Sequence, residues 1–113
     1  MGIQIIGTKK CRETQKTERY FKERKIAYHF VDLNQRTLSA GELQSVVRAI
    51  GADELIDSSS KIYRKKGMQF MDFDPVEELI EHPLLMKTPV VRSGHRAVLG
   101  YEPELWKNIL EDS

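Results

Sequence analysis

Cys11 is the residue of this sequence best placed to do chemistry. It is the only cysteine among 113 residues, and it directly precedes a stretch of helix-forming residues. A thiol with an ordinary pKa of about 8.5 is only a few per cent thiolate at neutral pH, and the thiolate is the nucleophile. A helix N-terminus offers unpaired N–H groups and partial positive charge, and Lys9, Lys10, Arg12 and Lys16 surround the thiol with cations. We therefore predict a reactive thiol rather than the small buried hydrophobe that a lone cysteine often is.

A second cysteine is absent from the positions where a redox pair would need one. Thr8 and Thr14 stand where a C-x-x-C motif would place it. A disulfide switch within the chain is excluded, so an external thiol such as glutathione or a redoxin must resolve any mixed disulfide. The three histidines (His29, His82 and His95) are far apart in sequence, and we predict no metal site.

The elements that position Cys11 are predicted to be a strand, a helix and a second strand. Residues 3–6 are mostly β-branched and end at Gly7, and residues 27–33 alternate in polarity; both patterns indicate strands. Residues 12–25 contain no glycine or proline and carry a stripe of less polar side chains at helical spacing: Thr14, Thr17, Tyr20 and Phe21. This order fits a right-handed parallel crossover that brings Cys11 to a helix N-terminus.

Helices are predicted to dominate the middle of the chain. Ser39 and Glu42 have the spacing of a capping box, and Gly51 is placed to end that helix. A short helix is expected around residues 53–56, followed by a serine run and a basic patch. Asp74 and the proline after it open a further helix that Pro83 ends. Six apolar residues are expected to face or cover the core: Met68, Phe70, Met71, Phe73, Leu79 and Ile80.

The end of the chain is predicted to be a hairpin and a helix. Residues 89–92 and 97–99 form the strands around a Ser93-Gly94 turn, and a helix runs from Pro103 to about residue 110. This helix is expected to bury Leu105, Trp106, Ile109 and Leu110. The order β-α-β-α(n)-β-β-α predicts an α/β fold of thioredoxin-like type, a mixed sheet with a helical insert at about 38–84, in one domain spanning 1–113.

Thr88 and Pro89 are the second candidate for the functional site, as residues that could position a substrate. On sequence alone, an ordinary trans proline at a strand start is favoured. In thioredoxin-like folds, however, the residue before a cis-proline offers backbone groups to an incoming thiol substrate, opposite the cysteine. The fold prediction therefore favours a cis bond here.

Three stretches of the sequence resemble the arsenate reductase (ArsC)/Spx/YffB family. GTKKCRETQKTERYFKERKIAYHFVDL is similar to its opening, GADELIDSSSKIYRKKG to the helical insert of the Spx branch, and IEHPLLMKTPVVRSGHRAVLGYEPE to its H-P-x-L-x-x-R-P…V/L-G signature. The spacing of the three also fits, so the resemblance covers almost the whole chain. It implies a thioredoxin-like fold and either arsenate reduction or transcription regulation.

The sequence departs from both branches at defined positions. Arsenate reductases of this family hold the oxyanion with three arginines, and Asp57, Thr88 and Tyr101 stand at those positions here. Because oxyanions need several charge-assisted donors, arsenate reduction is disfavoured, although Lys61, Arg64, Arg92 and Arg96 could compensate in part. The Spx branch binds the C-terminal domain of the RNA polymerase α subunit, and Gly51 falls at its polymerase contact. The C-x-x-C pair of the Spx branch is missing from this sequence, because Thr14 replaces the second cysteine. The arginine that senses the disulfide state in that branch is also missing, because Thr88 stands at its position.

The resemblance and the residues together predict a thiol-dependent oxidoreductase with Cys11 as the catalytic residue. Lys10, Arg12 and Thr14 are expected to stabilise the thiolate, and Thr88 and Pro89 to position a small thiol or disulfide substrate. No bound cofactor is expected; glutathione is the expected co-substrate, and glutaredoxin or thioredoxin a potential partner. The alternative is a regulator without enzymatic activity that binds the RNA polymerase α subunit through Gly51.

Composition narrows the remaining function classes. The 18 basic and 17 acidic residues argue against direct nucleic-acid binding, although residues 9–25 are basic and residues 72–82 are acidic. No long apolar run is present, so no membrane association is expected. The N-terminal residues do not resemble a secretion signal, and we expect a cytoplasmic protein.

Overall fold

The computed structural model describes residues 2–111, and a four-stranded mixed sheet forms its centre. The strands are β1 Gln4–Gly7, β2 His29–Asp32, β3 Val90–Ser93 and β4 Arg96–Leu99, in the order β2-β1-β3-β4. β1 pairs parallel with β2 and antiparallel with β3, which pairs antiparallel with β4. Helix α1, Arg12–Glu23, connects β1 to β2. The predicted α/β class, the mixed sheet and the order of strands and helices along the chain are confirmed.

Four helices lie between β2 and β3, where the helical insert is predicted. They are α2 Ala40–Ile50, α3 Ala52–Leu55, α4 Lys61–Lys65 and α5 Pro75–Glu81, with 3₁₀ turns at Met68–Phe70 and Pro83–Leu85. α4 is not foreseen in the sequence; its N-cap Ser60 lies at the end of the serine run and accepts a hydrogen bond from the backbone of Tyr63. The last helix, α6, is Pro103–Glu111.

The sheet separates two apolar clusters. On one face, α1 and α6 pack against β1 and β3 through Ile5, Phe21, Val91, Trp106 and Ile109. On the other face, the insert helices pack around Ile6, Val31, Val46, Leu79, Leu85 and Val90. The α1 stripe is confirmed, because Thr14, Thr17 and Phe21 are fully buried. The strand and the helix that flank the loop carrying Cys11 both contribute to these clusters, through Ile5, Ile6 and Phe21.

Several residues predicted to face or cover the core are exposed instead. Ile80 and Leu105 are each 56% exposed, because adjacent helical residues point about 100° apart. Their neighbours Leu79 and Trp106 take the inward positions. Phe70 is 87% exposed and Met71 is 40% exposed, whereas Met68 is buried and Phe73 packs against the core. Leu110 is half-buried. Apolar character alone does not distinguish these positions.

The hairpin turn lies one residue later than the sequence indicates. Ser93 pairs with Arg96, so the two-residue loop is Gly94 and His95 rather than Ser93 and Gly94. β3 ends at Ser93 and β4 begins at Arg96, so each strand continues one residue further towards the turn than the sequence predicts. This extension brings His95 to the tip of the hairpin.

The capping box at the start of α2 extends into a wider hydrogen-bond network. The backbone N–H of Glu42 donates to Ser39 Oγ at 3.1 Å, and Glu42 Oε1 accepts from the Ser39 N–H at 2.8 Å. Arg36 adds a bidentate ion pair at 3.0 and 3.1 Å, and Gln4 Nε2 donates to Glu42 Oε2 at 2.7 Å. Hydrogen bonds from Arg36, then Gln4 and Ser39, outweigh burial and hold the pKa of Glu42 well below its usual value.

Glu42→Gln should lower the free energy of unfolding by about 1–3 kcal/mol at pH 7, since it removes charge-assisted hydrogen bonds. A carboxylate whose folded pKa is lowered stabilises the fold above the unfolded pKa of about 4.3, and this stability is lost as the pH falls through the folded pKa. The difference between the two proteins should therefore shrink below about pH 4. Urea unfolding at pH 7 and pH 3 measures it, and an equal difference at both values would contradict the assignment.

Within residues 2–111, no helix combines the length and the apolar character needed to cross a bilayer. The same residues hold no group of three or more histidine, cysteine or acidic side chains arranged to bind a metal ion.

Candidate functional site

Cys11 is the N-cap residue of α1, at the end of the loop that follows β1. Its backbone is extended, its N–H donates to the carbonyl of Thr8 at 3.2 Å, and its own carbonyl accepts from the Gln15 N–H at 3.0 Å. The side chain is partly exposed and makes no disulfide. The predicted position at a helix N-terminus is thereby confirmed, and the sulfur lies beside the unpaired N–H groups of the first helical turn.

The start of β3 lies against the thiol from the other side. Because β3 runs antiparallel to β1, the residue before it approaches the loop that leaves β1. Cys11 Sγ lies 3.8 Å from the carbonyl oxygen of Thr88, and the Thr88–Pro89 peptide bond is cis. The Pro89 carbonyl in turn accepts from the Gly100 N–H at 2.8 Å. The structure therefore brings Cys11, Thr88 and Pro89 together as expected.

The surroundings of the sulfur favour the thiolate. Burial raises the pKa of Cys11, but hydrogen bonds from the side chains of Thr14 and Thr88 and from the backbone of Thr14 and Glu13 outweigh it. The net result is a pKa below the usual value for a thiol. The Cys11 side chain makes no capping hydrogen bond to the backbone of the first turn of α1.

Thr14 is the side chain most closely adapted to this state. It is fully buried, and its Oγ1 has no hydrogen-bond partner among the described residues. A buried hydroxyl without a partner is unfavourable by about 1–3 kcal/mol, and ionisation of Cys11 supplies an acceptor. A hydrogen bond from Thr14 Oγ1 to the Cys11 thiolate would therefore account both for the buried hydroxyl and for the lowered pKa of Cys11.

Gly7 makes room for Thr14, and sequence patterning does not reveal this role. A Cβ at residue 7 would lie 2.5 Å from Thr14 Oγ1 and 2.7 Å from its methyl carbon, both too close for any real contact. The absence of a side chain on the last residue of β1 therefore allows α1 to pack with this hydroxyl beside the sulfur. The only sequence signal is a glycine at the end of a buried strand.

Thr14→Val should raise the pKa of Cys11, because valine keeps the shape and removes the hydroxyl donor. The rate of alkylation by iodoacetamide at pH 7 should fall about three- to tenfold, and its pH midpoint should move upwards. Thr14→Ser retains a hydroxyl and is the matched control, with a midpoint close to that of the unmodified protein. A valine variant that alkylates with an unchanged midpoint would exclude Thr14 from thiolate stabilisation.

The flanking cations lie at the surface around this site. Lys9, Lys10 and Arg12 are exposed, so water and salt screen their charges. The hydrogen bonds described above, rather than the charges of Lys10 and Arg12, account for the lowered pKa of Cys11. Lys16 Nζ lies 4.7 Å from the ring centroid of Tyr101, a cation–π contact one helical turn beyond the thiol.

At two of the three positions where the resemblance to arsenate reductases implies arginine, the side chains have other partners. Asp57 Oδ1 accepts from the N–H and the hydroxyl of Ser59, and Tyr101 packs edge-on against Trp106. Arg92 and Arg96 do not compensate, because they lie towards the hairpin turn while Thr88 precedes the opposite end of β3. Lys61 and Arg64 belong to α4 in the insert, and Arg64 Nη2 donates to the carbonyl of Ser59.

Gly51 lies in a different part of the fold from Cys11. It ends α2 and precedes α3, with a φ of 103° that L side chains rarely adopt. Its N–H donates to the Val47 carbonyl at 2.8 Å. The position of Gly51 at the end of α2, with a positive φ, therefore gives the glycine a local structural reason.

Comparison with known proteins gives consistent matches over nearly the whole chain. The global transcriptional regulator Spx 2 of Oceanobacillus iheyensis is 32% identical over 110 residues, covering 92% of this chain and 80% of that protein. An arsenate reductase of Haemophilus influenzae is 24% identical over 116 residues, covering 97% of this chain and 100% of that protein. Among solved structures, a putative ArsC family related protein from Bacteroides fragilis superposes with a TM-score of 0.82 at 19% identity, covering 96% and 99% of the two chains.

The family model described as the ArsC family matches residues 6–109, which include the end of β1, Cys11, the insert helices, the cis-proline and most of α6. The mixed sheet of β1–β4 with helices on both faces is the thioredoxin-like fold that the order of elements along the chain predicts. This chain belongs to the ArsC family and has its thioredoxin-like fold.

Proposed function

We propose that this protein is a thiol-dependent oxidoreductase that uses Cys11 as its nucleophile. The observation that carries the proposal is the position of Cys11 at a helix N-terminus, with a lowered pKa, against Thr88 and the cis-proline. The arsenate reductase relative supports reductase chemistry in general. Because arginine is missing from the three positions that hold the oxyanion in arsenate reductases, the proposed substrate is a small disulfide rather than arsenate.

The proposed reaction balances with glutathione as the external reductant. The Cys11 thiolate attacks a mixed disulfide between glutathione and a small thiol, forms a protein–glutathione disulfide, and releases the small thiolate, which takes up a proton. A second glutathione then attacks the glutathionyl sulfur, regenerates the Cys11 thiolate and leaves as oxidised glutathione with loss of one proton. Thr88 would align the incoming sulfur through its backbone. Lys10 and Arg12 are proposed to attract the carboxylates of glutathione.

Incubation with oxidised glutathione tests the first half of this cycle. We expect one glutathionyl group per chain at Cys11 by mass spectrometry, formed fastest above the pKa of the thiol and removed by reduced glutathione. Blocking Cys11 with iodoacetamide beforehand is the control and should prevent the modification. A native protein that stays unmodified at pH 8, although it is modified when unfolded in urea, would contradict the proposal.

A second candidate function is a regulator that binds the C-terminal domain of the RNA polymerase α subunit. The observation that favours it is the 32% identity to a global transcriptional regulator. Gly51 is the proposed contact, and this function needs no turnover at Cys11. The two candidates are separable, because Gly51 and Cys11 lie in different parts of the fold.

Titration of the isotope-labelled α-subunit domain with this protein tests the second candidate. Gly51→Arg should weaken binding, and Asp53→Arg, at an exposed position of α3, should do so without strain at a positive φ. Gly41→Arg is the matched control, since a side chain there points into open space. No binding by the unmodified protein would reject this function.

A further inference from the structure

A row of polar side chains crosses the sheet at the end remote from Cys11. Gln4 of β1 pairs with His29 of β2 on one side and with Arg92 of β3 on the other. Paired residues of neighbouring strands project to the same face of a sheet, so these three side chains lie next to one another. Ser45 of α2 and His95 of the hairpin turn complete a cleft of about 410 Å³ over this row.

Arg92 is held in place by its neighbours in this cleft. Its Nη1 donates to Gln4 Oε1 at 2.6 Å, and its Nη2 lies 3.5 Å from Ser45 Oγ. Its Nε is buried without a hydrogen-bond partner. The guanidinium is therefore partly buried and fixed in orientation, which lowers the entropic penalty for binding a ligand.

The charge of Arg92 has no counter-charge at the cleft. No carboxylate among residues 2–111 forms an ion pair with it, and none lines the cleft. Glu42 is connected to Arg92 only through the neutral amide of Gln4, and Glu42 is already paired in bidentate fashion with Arg36. The cleft thus combines one uncompensated cation with the N–H groups of two imidazoles.

We propose that this cleft binds a phosphate group, either free or carried by a small metabolite. Arginine offers planar paired donors that match phosphate oxygens, and His29 and His95 supply further donors from the neighbouring strand and the turn. The cleft volume admits a small phosphorylated molecule. This site is independent of the chemistry proposed at Cys11, since it lies at the opposite end of the sheet.

Titration of the ¹⁵N-labelled protein with inorganic phosphate at constant ionic strength tests the proposal. We expect saturable shifts confined to residues around Gln4, His29, Ser45, Arg92 and His95, with acetate as the monocarboxylate comparison binding more weakly. Glycerol phosphate distinguishes the two sources: tighter binding than inorganic phosphate indicates a metabolite, and weaker binding indicates the free ion. Shifts that rise linearly without saturation, or that scatter over the basic residues 9–25, would overturn the proposal.

Variants separate the cleft from general surface charge. Arg92→Gln should weaken phosphate binding about tenfold, because the charged fork is lost. Arg48→Gln removes the same charge from an exposed position of α2 outside the cleft and should leave binding unchanged. His95→Gln, at an exposed turn, provides a variant that keeps Arg92 and its hydrogen bonds, and it should weaken binding several-fold. Equal affinity in Arg92→Gln and Arg48→Gln would show that no specific site exists.

Discussion

Cys11→Ser is expected to reduce glutathione-linked disulfide reduction by about a thousandfold or more, to the uncatalysed rate. A serine hydroxyl stays protonated at neutral pH and forms no disulfide, so both half-reactions are lost. No other cysteine can take over, because Cys11 is the only one in the chain. The rate of NADPH consumption in a coupled assay with glutathione reductase measures the effect.

Thr8→Ser is the matched control for this substitution, since it makes a conservative change in the same loop without touching the thiol. It should retain most of the activity, and both variants should keep the amide spectrum of the folded protein. Substantial activity in Cys11→Ser would refute the proposed mechanism. Binding of the polymerase domain by the same variant would be unaffected, which separates the two candidate functions.

Trp106→Ala is expected to lower the free energy of unfolding by about 3–5 kcal/mol. The indole is fully buried between α6 and the sheet and packs against the rings of Tyr20, Phe21 and Tyr101 at centroid distances of 5.1, 5.3 and 5.4 Å. Alanine would leave a cavity that surrounding helices cannot easily fill. Denaturant unfolding followed by far-ultraviolet circular dichroism measures the loss.

Two substitutions define the scale of this effect. Leu105→Ala, at the neighbouring exposed position, should change stability by no more than about 0.5 kcal/mol. Trp106→Phe should be much less destabilising than alanine, because it retains a ring and removes an indole N–H that is buried without a partner. A leucine variant as destabilised as Trp106→Ala would contradict the observed orientation of α6.

Local patterns predicted the elements of this fold well, because the signals lie within a few residues of one another. The Ser39 and Glu42 capping box and the proline that opens α5 both occur as expected. The errors arise where the local pattern is ambiguous. Ile80 and Leu79 are both apolar, and only the packing of α5 determines which of them points inwards.

The candidate site was predictable in its main residues but not in its supporting contacts. Cys11 and Thr88–Pro89 follow from a lone thiol before a helix and a proline before a strand. The contact between Gly7 and Thr14 depends on how closely α1 approaches β1. In the separate cleft at the other end of the sheet, the hydrogen bond from Arg92 to Gln4 joins residues 88 apart in sequence. Such contacts depend on strand register and helix packing, which no short motif encodes.

The stability of the first turn of α1 is expected to depend on the charge of the sulfur of Cys11, the N-cap residue of this helix. Because the pKa of Cys11 is lowered in the folded state, ionisation of the thiol stabilises the fold. This stability is complete above the unfolded pKa and is lost as the pH falls through the folded pKa, so we expect ionisation to stabilise the first turn of α1. Alkylation converts the sulfur to an uncharged thioether and should loosen it. The amide hydrogens of Glu13 and Thr14 should then exchange faster with solvent. Their exchange rates would therefore show whether Cys11 is free or alkylated.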